Sequence, residues 1–114
     1  MDLVTTAKAV LRGDIWLSRL DPTVGTEIQK TRPCLIVSPD LMNRYLRSVT
    51  VMPLTSGSRS EPFRLPTQLD GREGFLLGDQ LRTLSKLRLV KKVGQANAAT
   101  LSAALAILRE MFEE

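Results

Sequence analysis

The stretch GDIWLSRLDPTVGTEIQKTRPCLIVSP, residues 13–39, decides the architecture. Ile15, Leu17 and Leu20 lie among β-favouring neighbours with Trp16 between them, and DPTVG at 21–25 supplies turn chemistry directly after, so a first strand ends there. Residues 34–37 form a continuous apolar run behind Pro33, the pattern of a second strand buried on both faces, and Ser38, Pro39 and Asp40 end it. Downstream, residues 41–46 suit one helical turn. Residues 48–54 alternate through Val49, Val51 and Met52 as a third strand, and TSGSRSEP at 55–62 reads as a polar loop. Residues 63–69 read as extended, Phe75, Leu76 and Leu77 make a strand with Asp79 at its end, and residues 89–93 make another. Only the last segment has helical spacing: Leu101, Leu105, Leu108 and Met111 or Phe112 recur every three or four residues, with alanines between them and Asn97 placed as N-cap. The predicted fold class is mainly β with a C-terminal α-helix, a small twisted sheet or partly open barrel closed by that helix.

With 114 residues, 43% hydrophobic and 25% charged, the chain suits one domain. We expect a lead-in at residues 1–11 and the domain at 12–114. No apolar stretch approaches the roughly 18 residues of a bilayer span. The N-terminal MDLVTTAKAV has an acid at its second position and no basic stretch before an apolar core, so no secretory signal is expected and a cytoplasmic location is the default.

A single cysteine, Cys34, rules out an intramolecular disulfide, and the absence of histidine removes Ser-His-Asp and Cys-His nucleophile systems as well as any ordinary zinc site. Catalysis must therefore use carboxylates, arginine, lysine or hydroxyls, and no metal or cofactor is expected. Sixteen Lys and Arg against 12 Asp and Glu give a net charge of +4. Three of the acids, Glu110, Glu113 and Glu114, lie in the last five residues, so the preceding 109 residues hold nine acids against all 16 basic residues, a net +7. That balance suits a polyanionic partner, a nucleic acid or an acidic protein segment.

Three polar clusters interrupt the apolar runs at strand ends, where scaffolds display functional groups. GTEIQKTRP at 25–33 holds Glu27, Gln29, Lys30, Thr31 and Arg32, the last forced extended by the proline that follows. It reads either as a solvated loop or as a phosphate clamp. PLTSG at 53–57 puts Thr55 and Ser56 at a strand exit, either a plain turn or a pair of donors for phosphate oxygens. GDQLRT at 78–83 places Asp79 and Gln80 at the lip of the sheet with Arg82 just beyond, either an internal Asp–Arg pair or a reactive carboxylate. No glycine-rich nucleotide loop occurs, since GSRSEP lacks the lysine such a loop requires. Trp16 and Tyr45 are candidates for stacking on bases or for core and interface positions.

At these clusters the chain resembles the MazF/PemK/Kid family of toxin endoribonucleases. The resemblance runs through RGDIWLSRLDPTVGTEIQKTRP at 12–33, PCLIVSP at 33–39, PLTSG at 53–57, GDQLRTLS at 78–85 and the closing helix. It implies a small SH3-like barrel with a C-terminal helix, acting as a homodimer that cuts single-stranded RNA at a short sequence without a metal. The ribose 2′-hydroxyl would attack the adjacent phosphorus, leaving a 2′,3′-cyclic phosphate and a 5′-hydroxyl.

Matched by motif, the family's catalytic arginine falls on Arg32, its hydroxyl-loop threonine on Thr55, and its loop glutamate, a candidate for proton transfer or for fixing Arg32, on Glu27. Gln29, Lys30, Thr31, Ser56, Asp79, Gln80 and Arg82 are the expected RNA contacts. Some relatives carry an arginine two residues before the strand-end acid and a histidine before the loop glutamate. This chain has Leu77 and Thr26 there, so the resemblance places the chemistry on Arg32 with Thr55 rather than on Asp79. The implied partners are single-stranded RNA and an acidic antitoxin, with DNA reached only through the antitoxin and no membrane. The alternative is a toxin of the same fold that is not an enzyme and binds DNA gyrase.

Overall fold

The computed structural model describes residues 9–22, 25, 30–57 and 60–114. In chain order these form β1 (Asp14–Arg19), β2 (Thr31–Ile36), a short helix α1 (Asp40–Tyr45), β3 (Ser48–Thr55), β4 (Arg64–Leu69), β5 (Arg72–Leu77), β6 (Arg82–Ser85), β7 (Leu89–Gln95) and the C-terminal helix α2 (Ala98–Met111). Single 3-10 turns, Gly78–Gln80 and Lys86–Arg88, flank β6. Every strand pairing is antiparallel, in the order β4-β5-β3-β2-β1-β7, with β6 also on β3. The mainly-β class closed by a C-terminal helix is therefore what the chain adopts.

β3 is the spine, and its proline shows how. β6 pairs with residues 48–51 of β3 and β5 with Leu54 and Thr55, so two strands share one edge with a gap between them. Thr50 turns its backbone toward β2, since Val37 N–H donates to Thr50 O at 2.9 Å. By strand alternation Pro53 turns the other way, and the N–H it lacks falls in that gap, the position a central strand tolerates.

Alternation along β1 and β2 fills both faces of the sheet. Ile15, Leu35, Met52, Leu54 and Leu76 gather on one side against Ala104 of α2, while Trp16, Leu20, Cys34, Ile36, Val51 and Leu84 gather on the other with Val10. Asn97 caps α2 by accepting from Thr100 N–H at 2.8 Å, as its position predicts.

Two features depart from the sequence pattern. β2 starts at Thr31, ahead of its apolar run, because the ladder with β1 continues through Ser18–Arg32 and Arg19–Thr31. Residues 82–85 pattern as a polar motif yet form β6, held by four register pairs with β3 although only Leu84 enters the core.

Candidate functional site

The β2–β3 register assembles the site. Cys34 faces Pro53 as the last pair of that ladder, and just beyond it Arg32 and Thr55 line one cleft. Residues 23 apart in sequence thus meet at one end of the sheet, the first from the start of β2 and the second from the end of β3. Arg32 is half-buried, and its Nε is fully buried with no hydrogen-bond partner among the described residues. A buried N–H left unmade costs about 1–3 kcal/mol of stability. Thr55 Oγ1 accepts from Gly57 N–H at 3.3 Å, a local turn that leaves its own hydrogen to donate.

The β4–β5 hairpin closes the opposite wall. Its turn, Asp70 and Gly71, has both residues left-handed (φ 53° and 75°), the Asp-Gly geometry of a tight hairpin. β5 then approaches β3 so closely that a Cβ on Gly74 would lie 2.5 Å from the carbonyl oxygen of Thr55. Only glycine lets the two strands meet at that height. The result is a cleft of about 460 Å³ with apolar side chains Leu17, Leu54, Leu69 and Val93 and polar groups Arg32, Thr55, Ser56, Asp70, Arg72 and Glu73.

The other expected residues are distributed elsewhere. Lys30 and Thr31 line a separate cavity of about 380 Å³ with Arg19, Asp21, Leu87 and Arg88. That cavity is the braced neck of the β1–β2 loop. Leu20 N–H donates to Lys30 O at 2.8 Å and Lys30 N–H to Asp21 Oδ1 at 2.9 Å, while Arg88 Nη1 donates to the carbonyls of Arg19 and Asp21. Arg82 Nη1 donates to Leu20 O at 3.3 Å, further fixing that neck.

Asp79 lies in the turn after β5, held by Arg64 in a fork of Nε–Oδ1 3.0 Å and Nη2–Oδ2 2.8 Å. Hydrogen bonding to Arg64 holds the Asp79 carboxyl below its ordinary value and raises Arg64 in turn. Gln80 sits half-buried in the same turn. Neither lines the cleft of Arg32 and Thr55. Glu27 and Gln29 lie outside the described residues.

Cys34 is no nucleophile here. It is fully buried, and burial pushes its thiol up to about 12, outweighing the opposing effects of Ser18 and Arg82. Among the described residues no three Cys, Asp or Glu side chains gather as a metal site. Arg72 and Glu73 escaped the sequence reading, although the Asp-Gly pair at 70–71 is the signal that turns β5 back beside β3 and brings them to Arg32.

Comparison with known proteins identifies the family. Residues 11–112 match the family model of PemK-like, MazF-like toxins of type II toxin–antitoxin systems. The Escherichia coli endoribonuclease PemK is 44% identical over 89 residues, a match covering 72% of this chain and 65% of that protein, so the chain spans just under two thirds of that relative. The crystal structure of MazF from Deinococcus radiodurans superposes with a TM-score of 0.81 at 24% identity, covering 91% of this chain and 96% of that one, a likeness of fold. A mycobacterial endoribonuclease in complex with its cognate antitoxin superposes with a TM-score of 0.72 at 25% identity, covering 90% and 92%. The chain belongs to the PemK-like, MazF-like toxin family of type II toxin–antitoxin systems.

Proposed function

We propose that this chain is a sequence-specific endoribonuclease that cleaves single-stranded RNA by attack of the ribose 2′-hydroxyl, using its own side chains. The observation that carries the reading is the meeting of the half-buried Arg32 and the Thr55 hydroxyl in one cleft. The similarity to endoribonucleases supports it. In the reaction the 2′-oxygen bonds to phosphorus as its proton leaves to a base, the bond from phosphorus to the 5′-oxygen breaks, and that oxygen takes up a proton. The products are a 2′,3′-cyclic phosphate and a 5′-hydroxyl. Charge builds on the non-bridging oxygens as the fifth bond forms, and a guanidinium fork that is always charged stabilises it. Thr55, with Ser56 beside it, donates to the same phosphate, and Glu27 serves proton transfer or the placement of Arg32.

The basic balance of the chain fits two polyanions, RNA and an acidic antitoxin segment. A peptide laid over the same positive groups would block cutting by competition while it orders. The working form in this reading is a homodimer, checked by sedimentation equilibrium.

The test incubates the purified chain and Arg32→Ala with a long mixed-sequence RNA in excess EDTA, then maps the ends and identifies their chemistry. The expected outcome is cutting at one recurring short sequence with cyclic phosphate and 5′-hydroxyl ends. The variant should cut at least about a hundredfold more slowly, with an unchanged circular dichroism spectrum. Full activity in the variant overturns the assignment. Intact RNA from the folded wild type turns the question to gyrase and a supercoiling assay.

A further inference from the structure

A second cavity of about 600 Å³ opens beside the cleft, and Ser56 and Glu73 line both. Its size suits a small ligand or part of one. Its walls differ in kind from those of the cleft. Among the described residues no lysine or arginine lines it, and the one charged side chain there is the Glu73 carboxylate. A phosphate would be repelled there, whereas a nucleobase would not.

The β4–β5 register sorts the groups. Pro66 and Phe75 are directly opposed, as are Gln68 and Glu73, and all four share one face of the hairpin. The first pair is an apolar platform of the sort on which a base lies flat, and the second sets an amide and a carboxylate beside it at the level of a base edge. Asn97 closes the cavity from the start of α2. Its Oδ1 is committed to capping the helix, accepting from Thr100 N–H at 2.8 Å, so its Nδ2 remains as a donor.

We propose that this cavity receives the base of the nucleotide next to the scissile phosphate, and that Glu73 and Gln68, aided by Asn97, determine which base is cut beside. This rests on the nuclease reading above. A strand whose phosphate is gripped by Arg32 and Thr55 reaches the cavity past Ser56. A carboxylate accepts hydrogen bonds and gives none, so Glu73 selects a base presenting an exocyclic amino group, cytosine, adenine or guanine, and disfavours uracil, whose one edge donor, N3–H, lies between two carbonyls that repel the carboxylate.

The test maps cut sites in a mixed-sequence RNA for wild type, Glu73→Gln, Gln68→Ala and Asn97→Asp, the last keeping the helix cap while losing the amide donor. Wild type should disfavour uracil at one position adjoining the scissile bond. Glu73→Gln, which can donate to a uracil carbonyl, should raise uracil acceptance at that position about tenfold or more relative to the other bases, the scale of one lost or gained base-edge contact. Gln68→Ala and Asn97→Asp should broaden the preference at the same position and leave the others alone. Unchanged preferences in every variant that cuts, or loss of cutting in all three, overturn the proposal. Failure of wild type to cut at all instead overturns the nuclease reading, so the two failures are distinguishable.

Discussion

Gly74 sets the position of Thr55 by lacking a side chain. A methyl group there would meet the Thr55 carbonyl oxygen at 2.5 Å, and because that atom is backbone, β3 or β5 has to shift. Gly74→Ala is expected to lower stability by about 1–3 kcal/mol, the usual scale of overpacking, and to reduce RNA cutting with it because Thr55 moves. Gly57→Ala is the control. Nothing lies within 4 Å of a Cβ at that position, so its unfolding free energy should stay within about 0.5 kcal/mol of wild type. Equal midpoints for the two variants would refute the argument. Cys34 yields a second prediction. Its thiol, pushed up to about 12, stays protonated at pH 8, and a thiol reagent should be silent until denaturant is added. The same group makes stability fall as pH rises. Above about 8.5 the unfolded chain ionises the thiol while the folded chain keeps its proton, so a Cys34→Ser variant should lose less stability than wild type between pH 8 and 10.

At the scale of elements, the clasp between the start of β4 and the turn after β5 is electrostatic. Arg64 holds Asp79 at 2.8 and 3.0 Å and approaches Glu61 at 3.6 Å. Because Asp79 is held below its ordinary value in the folded chain, its contribution to stability is present above the unfolded carboxylate value of about 3.9 and is lost as pH falls through the folded one. The difference in urea midpoint between wild type and Asp79→Asn should therefore be constant above about pH 5 and shrink below about pH 4. A difference that stays constant on acidification would mean that Asp79 is not paired in solution. The elements also show what local pattern can and cannot reveal. α2 and its Asn97 cap are legible because three- and four-residue spacing and capping chemistry are local properties. β1 and the apolar part of β2 are legible because their neighbours fill both faces. β6 is not, since a four-residue strand with one core side chain owes its existence to pairing with β3, more than thirty residues earlier. The site divides the same way. Arg32 and Thr55 stand out as polar groups at strand ends, but that they share a cleft depends on the β2–β3 pairing, and Arg72 and Glu73 join them only through the approach that Gly74 allows.

Over the whole molecule, a net charge of +7 on residues 1–109 gives any polyanion a long-range attraction on top of the contacts in the cleft. Contacts with phosphates release condensed counterions, so the logarithm of the binding constant for single-stranded RNA falls with the logarithm of salt by about 0.7 per phosphate engaged. Binding can be measured without cutting by using an RNA whose ribose at the cut site lacks its 2′-hydroxyl, since that group is the nucleophile in the proposed reaction. Arg32→Ala should flatten the slope by about 0.7, one phosphate contact. Gln68→Ala, which alters a base contact, should weaken binding to the preferred sequence and leave the slope alone. An acidic antitoxin segment competing for the same positive groups should show a steep salt dependence of its own and displace the RNA less effectively as salt rises. RNA binding that is insensitive to salt would remove the electrostatic basis of both partnerships. Equal slopes for wild type and Arg32→Ala would instead move the phosphate away from Arg32, even with the fold and the charge unchanged.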